Sequence, residues 1–184
     1  MDDPRVDPTP NPAVYRFSAP SPWWEGDPVE ILRGAPTHEA PLARLLFEDP
    51  RVQAVLIGRD FVSVTASPSA WRPGLIAGMQ ARIVDLLEQG EPVLLGGDEQ
   101  PTGDRGDPEL VYKIETVLDW DIRPGIAAHG GDVRLVRVDE GVVQLDLRGA
   151  CTSCPSSRLT LENDIEERLL RSLPELRSVV QVGG

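Results

Sequence analysis

Cys151 and Cys154 are the only cysteines in the chain, so all of its thiol chemistry sits within four residues. The C-x-x-C spacing lets both sulfurs reach one centre, a geometry shared by zinc sites, iron–sulfur sites and dithiol redox sites. Pro155 follows at once and opens a predicted helix. A helix N-terminus presents unpaired N–H groups and partial positive charge, which favours thiolate, the form that binds metal or attacks a disulfide. A closed zinc site or an iron–sulfur cluster usually takes about four protein ligands, and one chain offers two thiolates. His38 and His129 could be added, but they fall in different predicted domains without ligand spacing to the cysteines, and they read as solvated or helix-terminal side chains. Two chains meeting on a two-fold axis would supply four thiolates. Gly149, Ala150, Thr152, Ser153, Ser156 and Ser157 are small enough to let a second chain approach, though they equally suit an ordinary turn and cap. A redox dithiol competes with this reading, but such motifs usually lie in a βαβ unit, and here a hairpin comes first. A structural disulfide suits an acidic chain with no secretion signal poorly.

The elements that must position this pair form an α-β-β-α-β series. Asp107-Pro108 makes an N-cap and first helical residue, and Ile114, Val117, Leu118, Ile122 and Ile126 keep helical spacing until Gly130-Gly131, with Pro124 expected to kink or shorten the helix. Val133–Val138 and Val142–Leu147 predict a hairpin turning at Asp139-Glu140-Gly141. After the cysteines, Leu161, Ile165, Leu169 and Leu173 mark a helix that Pro174 ends, and Val179–Val182 predicts a last strand.

The first half reads as a second small α+β domain without a catalytic constellation. Ala13–Phe17 and Val29–Leu32 alternate like strands; Val52–Ile57 and Phe61–Ala66 predict a hairpin. Leu42, Leu45 and Leu46 mark a short helix, Leu75, Met79, Ile83, Leu86 and Leu87 a longer one, and Val93-Leu94-Leu95 a return to the sheet. Residues 1–12 are expected to form a disordered proline-rich arm. Trp23, Trp24, Trp71 and Trp120 are expected to pack against their domains and not to serve as partner anchors. The fold class is thus α+β in two small domains, 1–96 and 108–184, joined by a flexible linker at 97–107 that is rich in glycine and acid.

Composition excludes several functions. The 184 residues hold 18 basic and 30 acidic side chains, a net charge of −12, which argues against nucleic acid and against anionic lipid. No run approaches the ~20 apolar residues of a membrane span. The opening Met1-Asp2-Asp3-Pro4 reads as neither signal nor transit peptide, so a cytoplasmic protein is expected.

Gly130-Gly131-Asp132-Val133, Gly149-Ala150-Cys151-Thr152-Ser153-Cys154-Pro155-Ser156-Ser157, Thr160-Leu161, Ile165-Glu166 and Ile122-Arg123-Pro124 together resemble the C-terminal domain of NifU-like (Nfu-type) iron–sulfur proteins. Thr9-Pro10-Asn11-Pro12, Pro41–Phe47 and Gly58–Thr65 resemble the N-terminal domain of the Nfu family. The resemblance implies a carrier or late scaffold, not an enzyme. Two protomers would hold a [4Fe-4S] cluster between their Cys151 and Cys154 pairs as a cluster-bridged homodimer, receive it from an upstream donor, and pass it to apo iron–sulfur proteins. His129 departs from the family's acidic residue, and Trp23-Trp24 lies in a longer loop than the family's. Mitochondrial members of the family begin with a basic transit segment that is missing here, so a bacterial cytosolic protein, or a mature form, fits better. The competing functions are a dithiol-disulfide oxidoreductase and a zinc-linked structural dimer.

Overall fold

Alternating apolar residues build the first sheet. Its strands are β1 (Arg5–Pro8), β2 (Val14–Ser18), β3 (Val29–Leu32), β4 (Val52–Ile57) and β5 (Phe61–Ala66), all antiparallel in the order β1-β2-β5-β4-β3. Helices α1 (Pro41–Leu46) and α2 (Pro73–Glu88) bury Leu42, Leu46, Leu75, Met79 and Ile83 in one core with Phe17, Val55, Ile57, Val62 and Val64 of the sheet. The computed structural model describes residues 4–19, 22–24, 26–95, 104–149 and 155–182, the first five of the last segment as backbone only. The chain divides into two units, Met1–Gln100 and Pro101–Gly184. Among the described residues no helix is long and apolar enough to cross a membrane.

Two expectations for the first unit are corrected. The arm expected to be disordered supplies β1: Arg5–Pro8 pairs with β2, Val6 packs against the core, and Gln80 Nε2 donates to the Pro4 carbonyl at 2.9 Å. Proline is tolerated because β1 is an edge strand that needs ladder bonds on one side only. Val93–Leu95 does not rejoin the sheet. Its Val93 carbonyl accepts the Leu42 N–H at 3.3 Å, and the Leu95 N–H donates to Glu39 O at 2.6 Å. Helix α1 has no side-chain cap, so this segment satisfies one of its orphan donors instead. Trp23, Trp24 and Trp71 pack against the core as expected, and Trp71 Nε1 donates to Ala13 O at 2.9 Å.

In the second unit, Asp107 caps α3 (Pro108–Val117) by accepting from the Glu109 and Leu110 N–H groups at 2.8 and 3.3 Å. A π-helical turn, Leu118–Ile122, leads into α4 (Arg123–Ala128). Strands β6 (Gly131–Asp139) and β7 (Val142–Gly149) are antiparallel; α5 (Pro155–Ser172) then crosses to β8 (Ser178–Gln181), which lies parallel to β7. The helices bury Ile114, Leu118, Ile122, Ile126, Ile165 and Leu169 against Val133, Leu135, Leu145 and Leu147.

Pro124 explains the π turn. In a continuous α-helix its ring would meet the Trp120 carbonyl four residues back. The wider turn avoids that, and the Arg123 N–H reaches back five residues to Leu118 O. It also corrects a drift: four-residue steps over-rotate an α-helix by about 40° each. The wider turn takes some of that rotation back, so Ile114, Leu118, Ile122 and Ile126 all stay buried. The expectation that Trp120 packs is overturned: it stands two residues from both Leu118 and Ile122, on the outward face, and is 81% exposed.

Of the residues expected to form a linker at 97–107, Arg105 and Asp107 are bonded within the second unit. The Val138 N–H donates to Arg105 O at 2.8 Å, and the Arg105 guanidinium bonds Glu115 and the Leu135 carbonyl. Glycine and acid content hid these bonds, because the chain there uses its backbone and one arginine in place of apolar burial. Residues 96–103 lie outside the described residues.

Arg123 ties the second unit together. It donates to Glu115 Oε2 at 2.9 Å and to Val133 O at 3.1 Å, bonds Asp119, and stands 3.7 Å from Asp132 Oδ1. Burial alone would lower its pKa; the charges of Glu115, Asp119 and Asp132 outweigh that and hold it above the usual value. Arg123→Leu should destabilise the unit by about 1.5–3 kcal/mol, because it removes one charged partner from Glu115, Asp119 and the buried Asp132, although Glu115 keeps Arg105. Arg123→Lys should cost less, since it keeps the charge and loses the fork. Urea unfolding of the full chain measures both, and a loss below about 1 kcal/mol for the leucine variant would show the network to be no stronger than a surface pair.

Asp49 makes a pH-dependent anchor in the first unit. Its Oδ1 accepts from the Arg51 backbone N–H and Nε, both at 2.9 Å, and its Oδ2 from Nη2 at 2.6 Å. The side-chain hydrogen bond from Arg51 holds the Asp49 carboxyl down from 3.8 to about 2, against burial that would raise it. A folded pKa below the unfolded one contributes stability that is present above the unfolded value and lost as pH falls through the folded one. Asp49→Asn should therefore be less stable than the parent near neutral pH. The gap should close between pH 3.8 and about 2, which urea midpoints across that window will show.

Candidate functional site

Cys151 and Cys154, the sequence-predicted site residues, lie outside the described residues, within 150–154. The structure describes what holds both ends of that segment. It leaves the sheet at Gly149, the last residue of β7, and enters α5 at Pro155. Gly149 sits opposite Gly131, the first residue of β6, and Gly130 ends the turn from α4. Gly149 and Gly130 have φ of 72° and 78°, in the left-handed region where a side chain is strained. Two turns that only glycine enters freely thus meet at one corner of the sheet.

The next rung inward pairs Asp132 with Arg148. Asp132 is buried; its Oδ1 accepts the Val133 N–H at 2.6 Å and faces Arg123. Arg148 Nε donates to Asp146 Oδ2 at 3.0 Å, and Arg134 Nη2 reaches the same oxygen at 3.4 Å. Through Arg123 and Glu115 the charges extend to Arg105. The end of β7 is therefore fixed by hydrogen bonds and charge on the β6 side. On its other flank, α5 is fixed by Ile165, Leu169 and Leu173 in the core.

His129 caps the C-terminus of α4, exposed, immediately before the Gly130-Gly131 turn, so the fold brings its backbone to the same corner of the sheet as residue 149. Sequence spacing gave no sign of that proximity. His38 stands exposed in the other unit, 3.7 Å from Glu39. Among the described residues no group of three or more histidine, cysteine or acidic side chains could hold a metal. Sequence reasoning missed the roles of Arg123, Asp132 and Arg148. Their one signal was a run of charges inside otherwise glycine- and proline-marked turns, and the partners lie far apart in the chain.

With an 18-residue helix starting one residue past the C-x-x-C, the segment meets the positive end of a helix dipole. Such a position stabilises thiolates and any anionic group they carry.

Comparison with known proteins places both units. A family model described as the NifU-like domain matches residues 114–180, and one described as the scaffold protein Nfu/NifU N terminal matches residues 5–86. A human protein named NFU1 iron-sulfur cluster scaffold homolog, mitochondrial, is 38% identical over 178 residues, covering 95% of this chain and 69% of that protein. Its Drosophila sechellia namesake is 36% identical over 179 residues, covering 95% of this chain and 62% of that one. The solution structure of a NifU-like protein from Saccharomyces cerevisiae is 18% identical with a TM-score of 0.41, covering 51% of this chain and 89% of that one. The expectation of a cytoplasmic protein is overturned by the human and fly relatives, which are named mitochondrial. The physical reason is that charge and hydropathy describe a folded surface, whereas a targeting segment, separable from that surface, sets the compartment. With 38% identity across nearly the whole chain and family models matching on both sides of the linker, the chain belongs to the Nfu family of NifU-like proteins.

Proposed function

We propose that this chain is an iron–sulfur cluster scaffold that binds a [4Fe-4S] cluster as cargo between two protomers and hands it to apo-proteins. The reading rests on one observation: the C-x-x-C pair lies within the residues matched as a NifU-like domain, in a chain whose relatives are named iron-sulfur cluster scaffold homologues. Each protomer supplies Cys151 and Cys154, and two protomers complete a set of four thiolates. Transfer is then thiolate exchange. A client cysteine loses its proton as it replaces Cys151 or Cys154, and the displaced thiolate takes a proton up. No electron moves, the cluster keeps its charge, and the chain acts as a carrier and not as an enzyme. The donor and the clients are iron–sulfur proteins that offer or accept cysteine ligands.

Anaerobic reconstitution with iron and sulfide should give a brown species with broad visible absorption and the mass of a dimer, and the apo form should be largely monomeric. Cys151→Ala and Cys154→Ala should each abolish stable binding, because each removes two of the dimer's four ligands. A single-cysteine variant that keeps a full complement of iron and sulfide would overturn the ligand assignment. A colourless chain that reduces disulfides with the pair intact would favour a dithiol oxidoreductase.

A further inference from the structure

Tyr112, Thr116 and Trp120 follow one another at four-residue spacing, two positions behind the buried series Ile114, Leu118 and Ile122. Two residues are about 200° around a helix, so a series that trails the buried one by two faces outward. Tyr112 is 74% exposed and Trp120 81%. Leaving two large aromatic surfaces in water forgoes the gain of burying them. Helical rotation fixes this arrangement, because Trp120 lies about 200° from both Leu118 and Ile122, which are buried.

Charge beside the stripe is unbalanced. Asp119 and Asp121 flank Trp120, and the nearby bases are already engaged: Arg123 with Glu115 and Asp119, Arg168 Nε with Asp164 at 3.0 Å, and Lys113 with Glu109 at 3.1 Å. The Asp121 carboxylate has no ion pair among the described residues, while its backbone carbonyl accepts from Arg168 Nη1 at 3.1 Å. Beside it an open groove of about 430 Å³ runs along α5, lined also by Asp164, Glu167, Arg168 and Arg171, the last paired with Glu167.

We propose that the Tyr112–Trp120 face is a docking surface for a protein segment presenting arginine beside apolar side chains. A guanidinium stacked on the Trp120 indole gains a cation–π contact and can donate to Asp121, while apolar neighbours cover Tyr112. Arginine suits the site better than lysine because its planar fork both stacks and donates. A second copy of the chain is disfavoured, since a two-fold contact here sets Asp119 and Asp121 against their own copies. This surface goes beyond the cluster reading and is independent of it, so the chain is tested before reconstitution.

The probe is a fluorescein-labelled amphipathic peptide with leucine on one helical face flanked by arginine, alongside lysine and glutamate counterparts, each titrated with the full-length chain by anisotropy at low and high salt. The arginine peptide should bind tightest and the glutamate peptide should not bind. Trp120→Ala should weaken the arginine peptide about tenfold, with Trp120→Phe in between. Asp121→Asn should weaken it about threefold and reduce its salt dependence. Circular dichroism of each variant should match the parent, the altered side chains being exposed. Binding that survives Trp120→Ala at full strength would be attraction to an acidic chain in general, and would overturn the proposal. Equal binding of arginine and glutamate peptides would do the same. An apo parent of dimer mass that Trp120→Ala turns into a monomer would assign the face to a second copy instead.

Discussion

One arginine organises the second unit. Arg123 is largely buried, so it must be answered by carboxylates, and those come from α3, from the π turn and from the first residues of β6. The next residue, Pro124, forbids an ordinary helix through Trp120. These two neighbours impose one solution: a widened turn that keeps the apolar series inward and carries the guanidinium back onto Glu115. Fixing Arg123 fixes Asp132, and Asp132 stands one rung from the glycine pair where the cysteine segment leaves the sheet.

Much of this architecture could be read from the chain before any coordinates. Strands β4 and β5 end where their alternation ends, and β6, β7 and α5 follow the apolar spacing around their turns. What failed had a common cause. Arg5–Pro8, Val93–Leu95 and Arg105 are placed by hydrogen bonds to other elements, which local periodicity cannot reveal. Trp120 failed for another reason: its size suggested burial, although helical spacing sets it about 200° from the buried Leu118 and Ile122. The thiols themselves were evident from spacing, whereas the ion-pair frame was not, since its members only meet after folding.

The two units solve stability differently. The first has a five-stranded sheet under two helices, with its core drawn from nearly every element. The second has three strands and adds buried charge to a smaller core. A paired buried charge is weak as a source of net stability but severe toward wrong arrangements, because any misplacement strands an ion. That trade holds Gly149 and the start of β6 in one arrangement.

The π turn also carries a lesson about chain length. One extra residue per turn is the mark of an insertion tolerated inside a helix. On its outer surface Trp120 and Asp121 stay out of the core, so packing does not dictate their kind, whereas Asp119 is bound to Arg123. Removing a single residue between Leu118 and Ile122 is a different matter: the backbone would return to α-helical pitch, and the ring of Pro124 would meet the carbonyl four residues before it. The widened turn is thus the room that this proline needs.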